Sequence, residues 1–377
     1  MKIAFYTICP SPHQFPLAEE IISRVGEENF RYVYVIAWLP RFANAKPTED
    51  DLKLPRWCVS DKSAEGKAWL DSAEVLVSGE RDVALFERRA QAGLKTIYSA
   101  ERWFKPPVGF LRMLHPRYFA MAWRFARLVR RGAVTCLPMG VWSARDLARI
   151  ERLFRGDVRC LFCAPRLAFE PKPMGAVEGF PWMRMWGYFV AARAAATGAD
   201  RVASERGVVR VLWVGRFVDW KRVETIVRAV YAVRAHAKAS LTLVGAGPER
   251  ARLGALDEHL AQVAGCVPHT TFCANVPGEE VRRLMRAHDV YVLSSDGGEG
   301  WGAVVNEALE EGMEVFGTDA AGSSATILPR ENQFAPGDWR TLARLLERFA
   351  QTGERHCHGI GAWSPANAAE ALLSFMI

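Results

Sequence analysis

The chain alternates short apolar runs with helix-like segments along its whole length, in two successive series. In the first half, runs such as KIAFYTIC, FRYVYVIAWL and KTIYS are separated by amphipathic segments such as FPLAEEIISRVG. The second half repeats the pattern with VVRVLWVG, SLTLVGAG, DVYVLSS and MEVFGTD. Strands that alternate with helices form parallel sheets covered by helices. The pattern therefore predicts an α/β protein with two parallel sheets.

The 377 residues are enough for two domains of ordinary size, and composition marks where they meet. Between residues 171 and 207, prolines and glycines are frequent and the strand pattern is lost. We predict an N-terminal domain over residues 1–195 and a C-terminal domain over residues 196–377, with the final helix able to pack back on the first domain. Because ligands of open α/β sheets bind at the carboxyl ends of the strands, two facing domains predict a central cleft.

Two negative features of the sequence predict a cytoplasmic protein. About 18 consecutive apolar residues would be needed to span a membrane, and the chain has no such run. Its first residues, MKIAFYTICPSPHQFP, lack the apolar region and the cleavage site of a signal peptide.

The cysteines are scattered, which predicts reduced thiols. They are Cys9, Cys58, Cys136, Cys160, Cys163, Cys266, Cys273 and Cys357. The one C-x-x-C pair, Cys160 and Cys163, lies in VRCLFCAP, which alternates like a strand, and no second pair has the spacing of metal ligands. We therefore favour core cysteines over a zinc or redox site.

A basic stretch, residues 102–131, carries a large share of the positive charge. From Glu101 to Gly132, eight Arg or Lys and the single acid Glu101 give a local net charge of 8 − 1 = +7, equal to the formal net charge of the whole chain. The predicted helix within it, PRYFAMAWRFARLVRRG, has five arginines that could face outward: Arg117, Arg124, Arg127, Arg130 and Arg131. With Trp123 and Phe125 near the interface, this composition suits contact with anionic lipid head groups or an acidic glycolipid. An ordinary solvated helix face is the equal alternative, and nucleic acid is disfavoured because no recognised nucleic-acid-binding motif is present.

Two strand ends in the second half carry candidate ligand-binding residues. In VLWVGRFVDWKR, Arg216 follows the strand and Lys221 lies five residues later near a helix start, so both can reach one diphosphate. Taken alone, this motif is equally typical of cations at a helix edge, so a surface role is the alternative for each residue. In LTLVGAGPERARL, Gly245 and Gly247 resemble a dinucleotide fingerprint, but Arg250 occupies the place of its third glycine. A plain strand-to-helix turn is therefore favoured there, and an oxidoreductase is disfavoured.

A third strand end, within DVYVLSSDGGEGWGAVVNEALEEG, combines an anion site with two acids. The pattern predicts a strand over Asp289–Ser295, a glycine loop, and a helix from near Gly302 that ends at Gly312. A helix start with glycines attracts anions, whereas the carboxylates of Glu299 and Glu307 accept hydrogen bonds from hydroxyls. A nucleotide-sugar offers both kinds of group.

These motifs, in this order, closely resemble the donor-binding domain of glycosyltransferase family 4, which comprises retaining enzymes of the GT-B fold with two Rossmann-like domains. The resemblance runs from Val208 to Gly322 and is weaker over the first domain. It implies that Glu299 lies beside the donor sugar and acts with Arg216 and Lys221, which contact the diphosphate. It also implies the following donor-binding residues: Glu307 at the ribose, the backbone of Gly300, Trp301 and Gly302 at the diphosphate and sugar, and Asn275 and Val276 at the base.

The chain departs from many members of that family after its first strand, where CPSPHQFP replaces a glycine-rich loop. His13 in this segment, and Glu101 after KTIYSA, are candidates for the acceptor side of the cleft. A surface position is the alternative for each of them.

The charges predict a mechanism without metal or cofactor. Negative charge builds on the leaving diphosphate, and no two aspartates stand two positions apart in a metal-binding D-x-D motif, so protein cations are expected to replace the metal. The expected partners are a nucleotide-sugar donor and a saccharide or lipid-linked acceptor, in the synthesis of bacterial surface polysaccharide. A nucleotide-sugar epimerase of the same fold and a non-catalytic binding protein are the alternatives.

Overall fold

The computed structural model describes residues 1–10, 13–37, 53–189, 207–233, 238–356 and 360–376. The chain forms two compact units, residues 1–191 with 362–377, and residues 192–361. The predicted boundary between residues 195 and 196 lies outside the described residues, as do Cys357 and the Ser11-Pro12 part of CPSPHQFP.

The first unit is a six-stranded parallel sheet flanked by helices. Its strands are β1 (Ile3–Thr7), β2 (Phe30–Tyr34), β3 (Cys58–Ser60), β4 (Val75–Ser78), β5 (Lys95–Ala100) and β6 (Val134–Pro138). Its helices are α1 (Phe15–Val25), α2 (Ala64–Ser72), α3 (Val83–Gln91), α4 (Pro116–Arg130), α5 (Val141–Phe154) and α12 (Pro365–Met376). The strand order is β3-β2-β1-β4-β5-β6.

The second unit has the same architecture. Its strands are β7 (Val208–Val214), β8 (Lys238–Val244), β9 (Thr270–Cys273), β10 (Val290–Leu293), β11 (Glu314–Thr318) and β12 (Gln333–Phe334). Its helices are α6 (Glu224–Val233), α7 (Arg250–Val263), α8 (Gly278–Ala287), α9 (Val304–Glu310), α10 (Gly322–Ile327) and α11 (Trp339–Thr352). The strand order is β12-β11-β10-β7-β8-β9, again with parallel pairs.

Both sheets reverse their strand order once, at β1 and β4 in the first and at β7 and β10 in the second. All four residues of β10 are buried, as expected for a parallel strand that is covered on both faces. In such sheets, the carboxyl ends of the strands beside the reversal are the usual place for a ligand. The predicted α/β fold with two parallel sheets is confirmed.

The interpretation of VRCLFCAP as a strand is wrong. Residues Val158–Leu161 form a 3-10 turn, because the Asp157 side chain accepts a hydrogen bond from the backbone N–H of Arg159 and caps the turn. Cys160 is buried, but Cys163 is exposed and Phe162 is 89% exposed. The apolar residues of this segment therefore do not all face a core.

The prediction for the faces of the basic helix, α4, is wrong in part. Phe125 is buried against Tyr98 and Trp103, with ring centroids 5.1 and 5.0 Å away. Arg124 is not free to contact a partner, because it forms an ion pair with Glu87 on α3. Trp123 is partly exposed, as predicted. Among the helices of the described residues, none combines the length and apolar character needed to cross a membrane.

Candidate active site

The loops that follow β7 and β10 bring two of the predicted catalytic residues together. Nζ of Lys221, in a short 3-10 turn after β7, forms an ion pair with Oε2 of Glu299, in the loop after β10. Both side chains are mostly buried, with 15% and 11% of their surface exposed. A buried ion pair is retained only where other groups hold it, so the contacts around this pair are informative.

Two serines at the end of β10 position this pair. Oγ of Ser295 donates to Oε2 of Glu299 at 2.8 Å, and Oγ of Ser294 donates to the backbone carbonyl of Lys221 at 2.7 Å. The Ser295 bond leaves the second carboxylate oxygen of Glu299 for other contacts. The two loops thus act as one framework around a carboxylate and an ammonium group.

A second set of contacts ties the same loops together at the backbone. The N–H of Asp296 donates to the carbonyl of Trp220 at 2.9 Å, and Nε of Arg222 donates to Oδ2 of Asp296 at 3.2 Å. Arg222 has a left-handed backbone conformation with φ of +47°, which the neighbouring ion pair stabilises. The predicted helix start at Lys221 is therefore a 3-10 turn, and α6 begins only at Glu224.

The glycines after β8 allow their backbone to touch the loop after β7. A methyl group added at Gly245 would lie 1.8 Å from the carbonyl oxygen of Gly215, and one at Gly247 would lie 2.4 Å from that of Phe217. The N–H of Phe217 donates to the carbonyl of Ala246 at 2.9 Å. Gly245 and Gly247 therefore serve packing between two strand ends, at a turn that leads directly into α7.

Gly245→Ala is expected to lower the free energy of unfolding by about 1 to 3 kcal/mol, since an added methyl group cannot fit against the Gly215 carbonyl without moving the backbone. Urea denaturation measures this. Gly278→Ala is the matched control, because no atom lies within 4 Å of the added methyl group at the start of α8. Equal stability of the two variants would contradict the packing role.

Arg216 follows Gly215 in the loop after β7 and is partly exposed. Asn275 and Val276 lie between β9 and α8, at the carboxyl end of β9 in the same sheet. A methyl group at Gly245 would lie 3.7 Å from Oδ1 of Asn275, so this exposed amide adjoins the loop after β8. Val276 packs on the apolar cluster beneath the loops.

The backbone carbonyls of the loop before α9 form hydrogen bonds with the start of α10. The carbonyls of Gly300 and Trp301 accept hydrogen bonds from the N–H groups of Gly322 and Ser323, at 3.1 and 2.9 Å. Trp301 is fully buried, and its indole N–H donates to Asn306 at 2.8 Å, so its side chain is part of the core. Gly302 has φ of +88°, a conformation that favours glycine, and it leads into α9.

The predicted anion site lies at the start of α9, a helix of seven residues. Within the described part of the chain, the backbone N–H groups of Gly302, Ala303 and Val304 have no hydrogen-bond acceptor. Such groups attract an anion.

Glu307 lies on α9, one turn into the helix that follows this loop. Glu299 and Glu307 both lie close enough to the buried phenol of Tyr291 on β10 to influence it. Burial raises the pKa of Tyr291 well above its ordinary value, and the negative charges of the two glutamates add to that effect. The two predicted acids thus share one neighbourhood at the end of β10.

Arg282 on α8 supports α9 from the side. Its Nη1 donates to the backbone carbonyl of Glu307 at 3.1 Å, and its Nη2 donates to Oε2 of Glu310 at 3.0 Å. Arg286, one turn later, forms an ion pair with Glu311. These contacts hold the helix that carries Glu307.

The free energy of unfolding is expected to depend on pH through Glu310. Burial raises the pKa of Glu310 from 4.5 to about 7, although Arg282 opposes the shift. Because the folded-state pKa is raised, the stabilising contribution is fully present below pH 4.5 and is lost as pH rises to about 7. Glu310→Gln should therefore gain stability relative to the wild type over this window, which urea denaturation at several pH values would show.

Glu280, which is partly exposed at the start of α8, provides the control for that experiment. Its pKa is lowered by the hydrogen bond from Arg283, so Glu280→Gln should show no such gain with rising pH. A constant difference between Glu310→Gln and the wild type across the window would contradict the prediction.

The two predicted acceptor-side residues belong to the first unit and adjoin the same tyrosine. The ring of His13 lies 6.2 Å from that of Tyr188, edge to face. Burial raises the pKa of Tyr188 above its ordinary value, and the nearby charge of Glu101 adds to the effect. His13 is exposed, and Glu101 forms an ion pair with Lys105.

Tyr188 reaches this position because the segment before it follows the outer strand of the sheet. The carbonyl of Trp182 accepts a hydrogen bond from Cys136 in β6, and the N–H of Trp186 donates to Pro138 at the end of that strand. A shallow hollow, partly open to solvent, lies at the strand ends beside Tyr188. Its lining includes Thr7, His13, Gln14 and Ser99.

Several residues of these sites were missed by the sequence reasoning: Ser294, Ser295, Tyr291, Arg282, Asp296 and Tyr188. Four of them, Tyr291, Ser294, Ser295 and Asp296, lie within the segment DVYVLSSDGGEGWG, and the polar side chains that follow its buried strand were the available signal for the last three. Within the described ranges, no group of three His, Cys, Asp or Glu side chains is arranged to hold a metal ion.

Comparisons with known proteins bear on the family and on the fold. Residues 208–352 match the family model described as Glycosyl transferases group 1. No curated protein matches the chain by sequence.

Solved structures share the fold of the whole chain. The lipopolysaccharide outer core galactosyltransferase WaaB superimposes with a TM-score of 0.64 at 13% identity, covering 99% of this chain and 98% of WaaB. OtsA gives 0.60 at 11% identity, with 100% and 99% covered, and HepE of Anabaena in complex with UDP gives 0.59 at 14% identity, with 100% and 95% covered. The two parallel sheets thus form the GT-B fold, and the family match over residues 208–352 with this fold supports a glycosyltransferase enzyme.

Proposed function

We propose that the chain is a retaining, metal-independent glycosyltransferase. It moves a sugar from a nucleotide-diphosphate sugar to a saccharide or lipid-linked acceptor. The observation that carries the proposal is the buried Lys221–Glu299 ion pair, placed where the second sheet reverses its strand order. This position is the one at which open α/β sheets bind nucleotides.

The proposed chemistry follows from the charges around this pair. Cleavage of the bond between sugar and diphosphate leaves negative charge on the diphosphate. Lys221, Arg216 and the N–H groups at Gly302, Ala303 and Val304 stabilise that charge, which is the role otherwise filled by a metal ion.

The two acids take different parts in the proposal. Glu299, held by Ser295, lies beside the donor sugar, where its free oxygen accepts a hydroxyl hydrogen bond. Glu307 accepts from the ribose hydroxyls, and Asn275 and Val276 border the base. Retention follows from attack on the face that the leaving phosphate departs from, with that phosphate as the base.

The acceptor in this proposal binds to the first unit, beside His13, Tyr188 and Glu101. The hollow there is lined by hydroxyl, amide and aromatic groups, which suit a saccharide. We also propose that residues 102–131 attach the protein to an anionic membrane surface on its cytoplasmic face, where a lipid-linked acceptor for surface polysaccharide would be found.

A donor screen tests the proposal. Thermal shift with a panel of nucleotides and nucleotide-sugars identifies the ligand, because one present at 100 times its dissociation constant adds about 2.7 kcal/mol of stability. UDP-glucose is the first donor to test, since HepE was solved in complex with it. Transfer to an acceptor with the anomeric configuration kept, seen by NMR, is the expected result.

Incubation with the donor alone distinguishes the alternatives. A transferase should release free nucleotide slowly or not at all without acceptor. Formation of an epimer would instead indicate an epimerase of the same fold. Tight donor binding without any turnover would indicate a binding protein.

A further inference from the structure

Two turns of the first unit expose large apolar side chains, and together they form what we call the apolar tip. The turn Gly109–Leu114 contributes Leu111 and Leu114, which are 65% and 79% exposed. The turn Val158–Leu161 and the residue after it contribute Val158, Leu161 and Phe162, the last being 89% exposed. Single exposed apolar residues are common on proteins, but a cluster of five marks a surface that binds a partner.

The two turns are neighbours because one arginine holds both. Arg149 on α5 places its guanidinium carbon 3.4 Å from the ring centroid of Phe110 in the first turn. Its Nε and Nη2 donate to the carbonyls of Cys160 and Leu161 in the second turn, at 2.5 and 2.8 Å. The two turns therefore lie on either side of one arginine side chain, although 43 residues lie between Leu114 and Val158 in the sequence.

The apolar tip continues onto α4, where it meets positive charge. Phe119 is 45% exposed, and its ring lies 5.1 Å from that of Phe154, four residues before Val158. Arg117, Arg130 and Arg131 are exposed on or just after α4 and form no ion pair within the described part of the chain. Apolar side chains bordered by unpaired arginines match the boundary between anionic head groups and acyl chains.

We propose that the apolar tip inserts into the leaflet of an anionic bilayer that faces the protein, while the arginines of α4 contact the head groups of that leaflet. This inference rests on the membrane attachment proposed above and specifies it. The inserting residues lie on the two turns, one of them outside residues 102–131, and Phe125 has no part in it. A lipid surface is favoured over a protein groove for two reasons. The apolar side chains extend from turns, and the neighbouring Arg117, Arg130 and Arg131 have no acidic partner among the described residues.

Flotation with lipid vesicles tests the inference on the full chain. The vesicles contain phosphatidylglycerol with phosphatidylethanolamine, or phosphatidylcholine alone as the neutral type. The variant Leu111→Ser, Leu114→Ser, Phe162→Ser should bind the anionic vesicles about a hundredfold less tightly than the wild type, because the buried apolar surface is lost. A second variant with Arg117, Arg130 and Arg131 changed to glutamine should lose binding at low salt.

The matched control is Val263→Ser with Val267→Ser, which removes two apolar side chains that are 72% and 71% exposed in the second unit. It should float like the wild type. An unchanged thermal transition shows that each variant is folded, and Phe162→Ser alone replaces the triple variant if that transition falls.

Three outcomes would overturn the inference, and they differ from failure of sugar transfer. If the triple variant floats as well as the wild type, the turns do not insert and only the arginines act. If the wild type floats with neither vesicle type, membrane attachment itself is wrong, and if it floats equally with both, the arginines do not select anionic head groups. Donor turnover measured without vesicles is a separate readout, so its absence would count against the transferase and not against the apolar tip.

Discussion

Replacing Lys221 with alanine is expected to lower the turnover of sugar transfer by about a hundredfold to a thousandfold, the usual effect of removing one preorganised group that stabilises transition-state charge. The variant loses an ammonium group that the proposed function places at the diphosphate, and it also leaves Glu299 without its ion-pair partner. Arg216→Ala should have an effect of similar size. Initial rates at saturating donor measure both, and Lys238→Ala, at an exposed lysine at the start of β8, is the control.

Chelation completes this experiment. EDTA should leave the rate of the wild type unchanged, because protein cations carry the charge that a metal would carry. A loss of activity with EDTA that magnesium or manganese restores would contradict the proposed mechanism. Wild-type rates in Lys221→Ala would contradict the role of the ion pair.

Glu307→Ala is expected to weaken the binding of free UDP by about tenfold to a hundredfold, since hydrogen bonds to a charged acceptor contribute about 1.5 to 3 kcal/mol. Glu299→Ala should bind UDP as the wild type does and lose turnover, because the proposed function places Glu299 beside the sugar. Isothermal titration calorimetry with UDP and rate measurements separate the two effects.

The exposed Glu258 on α7 provides the control, and Glu258→Ala should change neither quantity. If UDP binds Glu307→Ala as tightly as the wild type, the assignment of Glu307 to the ribose is wrong. If Glu299→Ala loses UDP binding instead, the two acids have exchanged roles.

The sequence predicted the parts of the site that depend on local pattern. The run from Asp289 to Gly312 predicts a strand, a loop and a helix, and the structure has β10 and α9 within it. That Lys221 and Glu299 meet follows from the reversal of strand order between β7 and β10, which brings their loops side by side. The sequence had predicted both residues as parts of one site, but their ion pair became visible only with the strand order of the sheet.

Contacts from distant segments could not be predicted in the same way. Arg282 reaches Glu307 from a different helix, and nothing in the local pattern of α8 distinguishes it from Arg283, which is exposed. Tyr188 lies near His13 because the segment before it runs along β6, the edge strand of the first sheet.

The two wrong predictions have different causes. Phe125 could have been placed correctly, since it shares a helical face with the buried Ala122 and Val129. The segment VRCLFCAP could not, because alternation of apolar residues does not reveal whether a core lies beside them.

The first unit is discontinuous in the sequence, and this affects how the protein is made. Its last helix, α12, packs on α1 and supplies buried residues such as Leu372, while Nζ of Lys95 donates to the carbonyl of Phe375 at 3.1 Å. During translation, the sheet of this unit emerges first, but its final helix emerges only after residues 192–361 of the second unit. The nascent first half must therefore remain incomplete while the second unit folds. A product that ends before residue 362 would keep every predicted donor-side residue and still expose the core beside α1.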